Sequence, residues 1–147
     1  MTAKRLALTL VVVALVLASG CGGRPPLGEG EKAGLDTLSA EEVVVAYMSS
    51  SNPEVKLYLS APVAQQRLAN PDTYEKERAG GVVDIVIERV PSNPATLADG
   101  DRDVRTYEVT YRVHGTYRNC HVSVGRDPAK AVWRVLLADT LPPGSSW

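Results

Sequence analysis

Val104-Arg105-Thr106-Tyr107-Glu108-Val109-Thr110-Tyr111-Arg112-Val113-His114 is the stretch from which the fold can be read. Successive side chains on a strand point to opposite faces. Tyr107, Val109, Tyr111 and Val113 therefore lie on one side, and Thr106, Glu108, Thr110, Arg112 and His114 on the other. A helical period would mix the two sets. A strict period of two marks a strand with one buried face.

The same period continues on both sides of this stretch. Gly115-Thr116 suits a tight turn, residues 117–125 form the next strand, Arg126-Asp127-Pro128-Ala129-Lys130 forms a turn, and residues 131–139 form the last strand. Upstream, residues 82–90 form a strand closed by Pro91, and residues 91–103 form a polar loop. Pairing His114 with Tyr117 sets Tyr111 opposite Cys120 and Val109 opposite Val122. Pairing Val124 with Ala131 sets Val122 opposite Trp133 and Cys120 opposite Val135. In that register one face carries Tyr107, Val109, Tyr111 and Val113, then Cys120, Val122 and Val124, then Trp133, Val135 and Leu137. Val83, Ile85 and Ile87 join it. Register and burial specify each other when the period is two.

Helices come before the sheet. Ser39 caps a helix, with Glu42 at capping-box spacing and Leu38 and Val43 placed for a hydrophobic staple. Val43, Ala46 and Tyr47 share its apolar face. Asn52-Pro53 starts a second helix over residues 53–59, because proline suits the first helical position. Ser60-Ala61-Pro62 repeats the signal for residues 63–69. Asp72 and Glu75 repeat the capping-box spacing, and Gly80-Gly81 ends the segment. The fold class is α+β: N-terminal helices packed on a curved four-stranded antiparallel sheet, each burying its apolar side against the other.

Ser39-Ala40-Glu41-Glu42-Val43, Tyr47-Met48, Tyr58-Leu59-Ser60 and Ala131-Val132-Trp133-Arg134-Val135, in that order, resemble small lipoprotein members of the nuclear transport factor two-like superfamily. The resemblance covers roughly residues 38–140. It implies a cone in which a curved sheet wraps helices around a cavity. It also implies dimerisation through the outer sheet face, hence a homodimer. The superfamily includes ketosteroid isomerase-like and dehydratase-like enzymes and many domains without activity, so the fold alone does not set the function.

An isomerase-like site needs a carboxylate base and a hydrogen-bonding acid in a dry cavity. The inward sheet face carries tyrosines but neither Asp nor Glu, since Asp84 and Glu88 fall outward. Glu41, Glu42 and Glu54 sit in first turns, where they suit the helix dipole. Catalytic residues are therefore not expected. Tyr47, Tyr58, Tyr107, Tyr111 and Trp133 are the candidates to line a cavity for a small apolar ligand. A metal is not expected either. Cys120 and His121 point to opposite faces. His114 and His121 stand over ~10 Å apart at ~3.3 Å per residue. Asp99-Gly100-Asp101-Arg102-Asp103 lacks the order and closing Glu of a calcium loop and reads as a solvated loop. No cofactor is implied. Val82, Val86, Thr106, Thr110, Val132 and Leu136 lie among Glu108, Arg112, His121 and Arg134 on the outer face, a mixture that suits either solvent or an interface.

The first residues place the protein in a cell. Lys4 and Arg5 precede an apolar run over residues 6–18, the layout of an export signal. That run is short for a membrane span, which needs about 20 residues. Ala18-Ser19-Gly20-Cys21 resembles the lipobox of bacterial lipoproteins. The resemblance implies a diacylglycerol on the Cys21 thiol and cleavage that leaves Cys21 first. Several acyl chains on one residue anchor firmly. The expected organisation is a signal over residues 1–20, a lipidated cysteine and flexible tether over 21–37, one domain over 38–141 and a tail over 142–147. Losing Lys4 and Arg5 with the signal leaves 14 basic and 17 acidic residues, net −3. That balance argues against nucleic acid as a partner. The reading as a whole is an extracytoplasmic lipoprotein, held to the cell membrane through lipid on Cys21. Its domain is a non-catalytic module for a small apolar ligand or an envelope protein. The alternatives are an isomerase or dehydratase on the same fold, or a structural spacer.

Overall fold

The computed structural model describes residues 25–92 and 103–139. The expected signal, Cys21, the acidic loop from Asp99 to Arg102 and the tail over 142–147 lie outside the described residues. Five helices precede four strands: α1 (Glu29–Asp36), α2 (Ala40–Ser49), α3 (Pro53–Leu59), α4 (Pro62–Ala69), α5 (Thr73–Arg78), then β1 (Val83–Val90), β2 (Val104–Val113), β3 (Thr116–Arg126) and β4 (Trp133–Asp139). The strands form one antiparallel sheet in the order β1-β2-β3-β4. The α+β class with a four-stranded antiparallel sheet is as read from sequence. No described helix is long and apolar enough to cross a membrane.

The caps explain the helix starts. The Ser39 hydroxyl accepts from Glu42 N at 3.3 Å, and Glu42 Oε2 accepts from Ser39 N at 2.8 Å, a complete capping box. Asn52 and Asp72 cap α3 and α5 in the same way through Glu54 N and Glu75 N. Glu75, however, does not reach back to complete a box at Asp72. Its side chain turns inward.

Helix α1 corrects the reading of residues 21–37 as a flexible tether. Residues 29–36 are helical, and Leu27 is buried. Gly28 N donates to Glu31 Oε2 at 2.9 Å. Leu35 packs against the core, and Asp36 is tied to Tyr58 and Arg134. The sequence showed glycines and no apolar period there. Two contacts at the end of the helix supply what that pattern lacks.

The core lies between α2 and the inward sheet face. Val43, Val44, Tyr47 and Met48 of α2 meet Tyr107, Val109, Tyr111, Cys120, Val122, Val124 and Val135 in one buried cluster. The faces are those expected, but the register is not. Val109 pairs with Cys120 and Tyr107 with Val122. The strand stagger differs by two residues because the turn is His114-Gly115, one residue earlier than Gly115-Thr116. His114 (φ 49°) and Gly115 (φ 77°) are both left-handed, as a two-residue hairpin of the primed type requires. A shift of two preserves the faces.

Between β3 and β4 the displacement is larger. Val124 pairs with Val135, not Ala131, and Arg126 with Trp133. The connection is lengthened by a turn around Asp127, whose Oδ1 accepts from Ala129 N at 2.8 Å. A bulge at Leu136 then turns Ala138 inward in place of Leu137. A second bulge in β1 lies between Val83 and Val86, with Asp84 at φ 53°. It leaves Val82 buried and Val83 exposed, the reverse of the expected placement. Ile85 and Ile87 pack against the core as expected.

An uncovered edge strand invites pairing with another chain. The α3–α4 junction covers β4. Ala61 N donates to Val135 O at 2.8 Å, and Arg67 Nη1 donates to Ala138 O at 3.1 Å.

Candidate functional site

Two places in the fold gather polar side chains. The first lies inside the core. Lys56 on α3 and Glu75 and Arg78 on α5 are 4 %, 5 % and 1 % exposed. The Lys56 ammonium donates to Tyr47 O at 2.6 Å and stands 4.7 Å from the centre of the Tyr47 ring. Arg78 Nη2 donates to Glu75 Oε1, the two residues being one helical turn apart. Arg78 Nε, Arg78 Nη1 and the Tyr111 hydroxyl have no hydrogen-bond partner among the described residues.

Burial sets the electrostatics here, because low-dielectric surroundings disfavour the charged form. It lowers the Lys56 ammonium to about 8, with Glu75 acting in the opposite direction. It raises the Tyr47 hydroxyl, reinforced by Glu75, and raises Tyr111, against which the Arg78 charge acts. At the other end of the inward face, the Tyr107 hydroxyl donates to Glu41 Oε1 at 2.6 Å. Burial and that bond push Tyr107 up to about 12. Arg105 stacks 4.7 Å from the Trp133 ring.

The second place is a pocket of about 500 Å³ on the outer side of β4. Its walls come from the end of α1, the α3–α4 junction, the β3–β4 turn and the outward residues of β4. Asp36 accepts from Arg134 Nη2 at 2.5 Å and from the Tyr58 hydroxyl at 3.0 Å. The Arg134 guanidinium lies 4.7 Å from the centre of the Tyr58 ring. Burial pushes Asp36 up, but the Arg134 and Tyr58 bonds outweigh it and hold the carboxyl below the usual range. Gly125 forms part of the floor. A Cβ there would fall 2.8 Å from Leu136 Cδ1, so glycine lets Leu136 lie across the sheet.

Of the five aromatic residues expected to line a cavity, the structure places Tyr58 alone in this pocket. Tyr47, Tyr107, Tyr111 and Trp133 belong to the buried cluster between α2 and the sheet. Sequence reasoning missed Glu75, Arg78 and Lys56 as interior groups. Thr73-Tyr74-Glu75-Lys76-Glu77-Arg78 ends in four consecutive charges, which reads as a solvated helix. The only available signal was the three-residue spacing of Glu75 and Arg78. The pocket draws on residues from 36 to 136 and left no local pattern. Among the described residues no three His, Cys, Asp or Glu side chains converge as metal ligands would.

No family model, curated protein or solved structure matches the chain.

Proposed function

We infer that this chain is an extracytoplasmic lipoprotein, anchored to the cell membrane through Cys21, whose domain binds a ligand without transforming it. The observation that carries the binding part is the pocket beside β4. Its volume of about 500 Å³ falls in the range of about 300–1,000 Å³ usual for small-molecule sites. Its Asp36–Arg134–Tyr58 wall is already ordered by mutual bonds. The anchoring part rests on Lys4, Arg5, the apolar run and Ala18-Ser19-Gly20-Cys21. The cone of the nuclear transport factor two-like superfamily is the finer fold proposal. It is supported by helices preceding a four-stranded antiparallel sheet and packing on one of its faces.

An isomerase or dehydratase is the second reading, and Glu75 is the observation that favours it. A carboxylate does lie inside the domain, on α5 rather than on the inward sheet face. Its Oε1, however, is already engaged by Arg78. A protein partner or a second copy on the outer sheet face is the remaining proposal. Val83, Val86 and Tyr117 are exposed there.

Two measurements on the full chain test the reading. Cys21→Ser should release the protein from the membrane fraction and abolish its labelling by palmitate. Firm membrane association of that variant removes the anchoring proposal. Native mass spectrometry of the lipidated chain should show an additional mass lost on denaturation. A bare chain mass at every stage of purification counts against ligand binding.

A further inference from the structure

The charges around the pocket beside β4 do not balance. Arg126, Lys130 and Arg134 face Asp36 and Asp127. Asp36 is engaged through both oxygens, and Asp127 through one. Asp36 accepts from Arg134 and Tyr58. Asp127 Oδ1 accepts from Ala129 N at 2.8 Å and Lys130 N at 3.4 Å, closing its own turn. Arg134 is committed as well, to Asp36, to Trp133 O and to the face of Tyr58. Among the described residues Arg126 donates only its Nε, to Ala131 O at 3.4 Å, which leaves both terminal nitrogens of the guanidinium without a partner there. Lys130 makes no ion pair among the described residues, although its charge is felt at Asp36. Two cations thus remain on one turn at the rim of the pocket.

Part of the wall is apolar, beside Ser60, Gln65 and the Asp36–Arg134 pair. Leu136 and Val132, the latter itself buried, are the outward neighbours of Val135 and Trp133, and Pro62 and Pro128 also line the pocket. The bulge in β4 and the absence of a side chain at Gly125 seat Leu136 there. A cationic ligand would meet three cations against two carboxylates, of which Asp36 is ion-paired and Asp127 is held through Oδ1 by its own turn. An inorganic anion would leave the apolar wall unused.

We propose that this pocket takes an amphipathic organic anion, its carboxylate or phosphate against Arg126 and Lys130 and its hydrocarbon against Val132 and Leu136. Charge-assisted bonds to a guanidinium favour such acids through its planar donors. The assignment deepens the binding reading above and rests on it. The same chemistry belongs to a free organic acid and to an anionic lipid head group.

The test uses the full lipidated chain in phosphatidylcholine nanodiscs and three probes that differ in one end only: 4-phenylbutyrate, 4-phenylbutanol and 4-phenylbutylamine. Calorimetry should give the acid at least a tenfold lower Kd than the alcohol or the amine. The double variant Arg126→Gln/Lys130→Gln should lose that preference while keeping its urea midpoint, since both side chains are exposed. Repeating the titration in phosphatidylglycerol discs separates the sources. A weakened affinity for the acid there identifies the lipid head group as occupant, and an unchanged one identifies a free acid. Equal binding of all three probes, or a preference that survives in the double variant, overturns the anion assignment and leaves a binding domain of other selectivity. Binding of no probe also overturns it. In that case the native mass decides whether the binding reading falls too.

Discussion

Arg78 is the residue with the least freedom to change. Its guanidinium is buried against Glu75, with Lys56 the second buried cation beside this single carboxylate. Removing one partner of a buried ion pair costs about 3–5 kcal/mol because the other charge is left alone, whereas an apolar replacement of both is often neutral. Glu75→Leu alone should therefore lower the unfolding free energy by about that amount, and Glu75→Leu/Arg78→Met should recover most of it in urea titrations. A double variant no better than the single would show that the pair itself stabilises the fold. Lys56 gives a pH signature. Its ordinary value is 10.5 and burial lowers it to about 8 in the fold. Between those values the unfolded chain holds more protons, so stability rises with pH. Tyr47, Tyr58, Tyr107 and Tyr111 act in the other sense, since burial raises each above 10. They hold stability that is complete below pH 10 and declines above it. The urea midpoint should climb from pH 8 towards 10 and then fall. Lys56→Met should abolish the climb and keep the fall.

At the scale of elements, the joint between helices and sheet depends on one glycine. Gly81 has φ +80°, and a Cβ there would stand 2.7 Å from Ser49 O. The next residue donates its N–H to Met48 O at 3.2 Å, so the backbone of α2 cannot retreat without breaking a bond. Strained φ values cost about 1–3 kcal/mol, and the contact adds to that. Gly81→Ala should destabilise by about 3 kcal/mol in thermal or urea unfolding. Gly80→Ala, which meets nothing within 4 Å, should stay within about 0.5 kcal/mol. The Gly80-Gly81 pair was visible in the sequence as a stop, but which of the two is irreplaceable was not. The same division runs through the strands. Alternation showed which side chains face inward, because that is a property of each strand alone. It could not place the strands against each other, because register depends on turns. His114-Gly115 and the Asp127 turn moved the pairs by even steps that kept the faces. Only where a bulge added an odd residue, at Leu136 and at Asp84, did the expected faces of Leu137 and Val83 fail.

Across the whole molecule, the least legible features were those assembled from distant residues. Asp36 and Arg134 are 98 positions apart, and no local pattern announces such a pair. The same pair decides where the domain begins. With α1 included, the chain between Cys21 and Leu27 spans at most about 22 Å when fully extended. A lipid on Cys21 would therefore hold the pocket nearer the membrane than a tether through residue 37 allows. Whether α1 belongs to the domain can be measured directly. A helix of eight residues is marginal in water by itself, so its order must come from docking. The docking contacts are Leu35 on the core and Asp36 on Arg134 and Tyr58. Native-state hydrogen exchange resolves such local units. The amides of Lys32, Ala33, Leu35 and Asp36 should be protected in the full chain. Asp36→Ala should return them to free-chain rates while amides of β2 and β3 keep their protection. Fast exchange at those positions in the unaltered chain would restore the tether reading and remove one wall of the pocket. Fast exchange across β2 and β3 as well in Asp36→Ala would show instead that α1 and the sheet unfold as one unit.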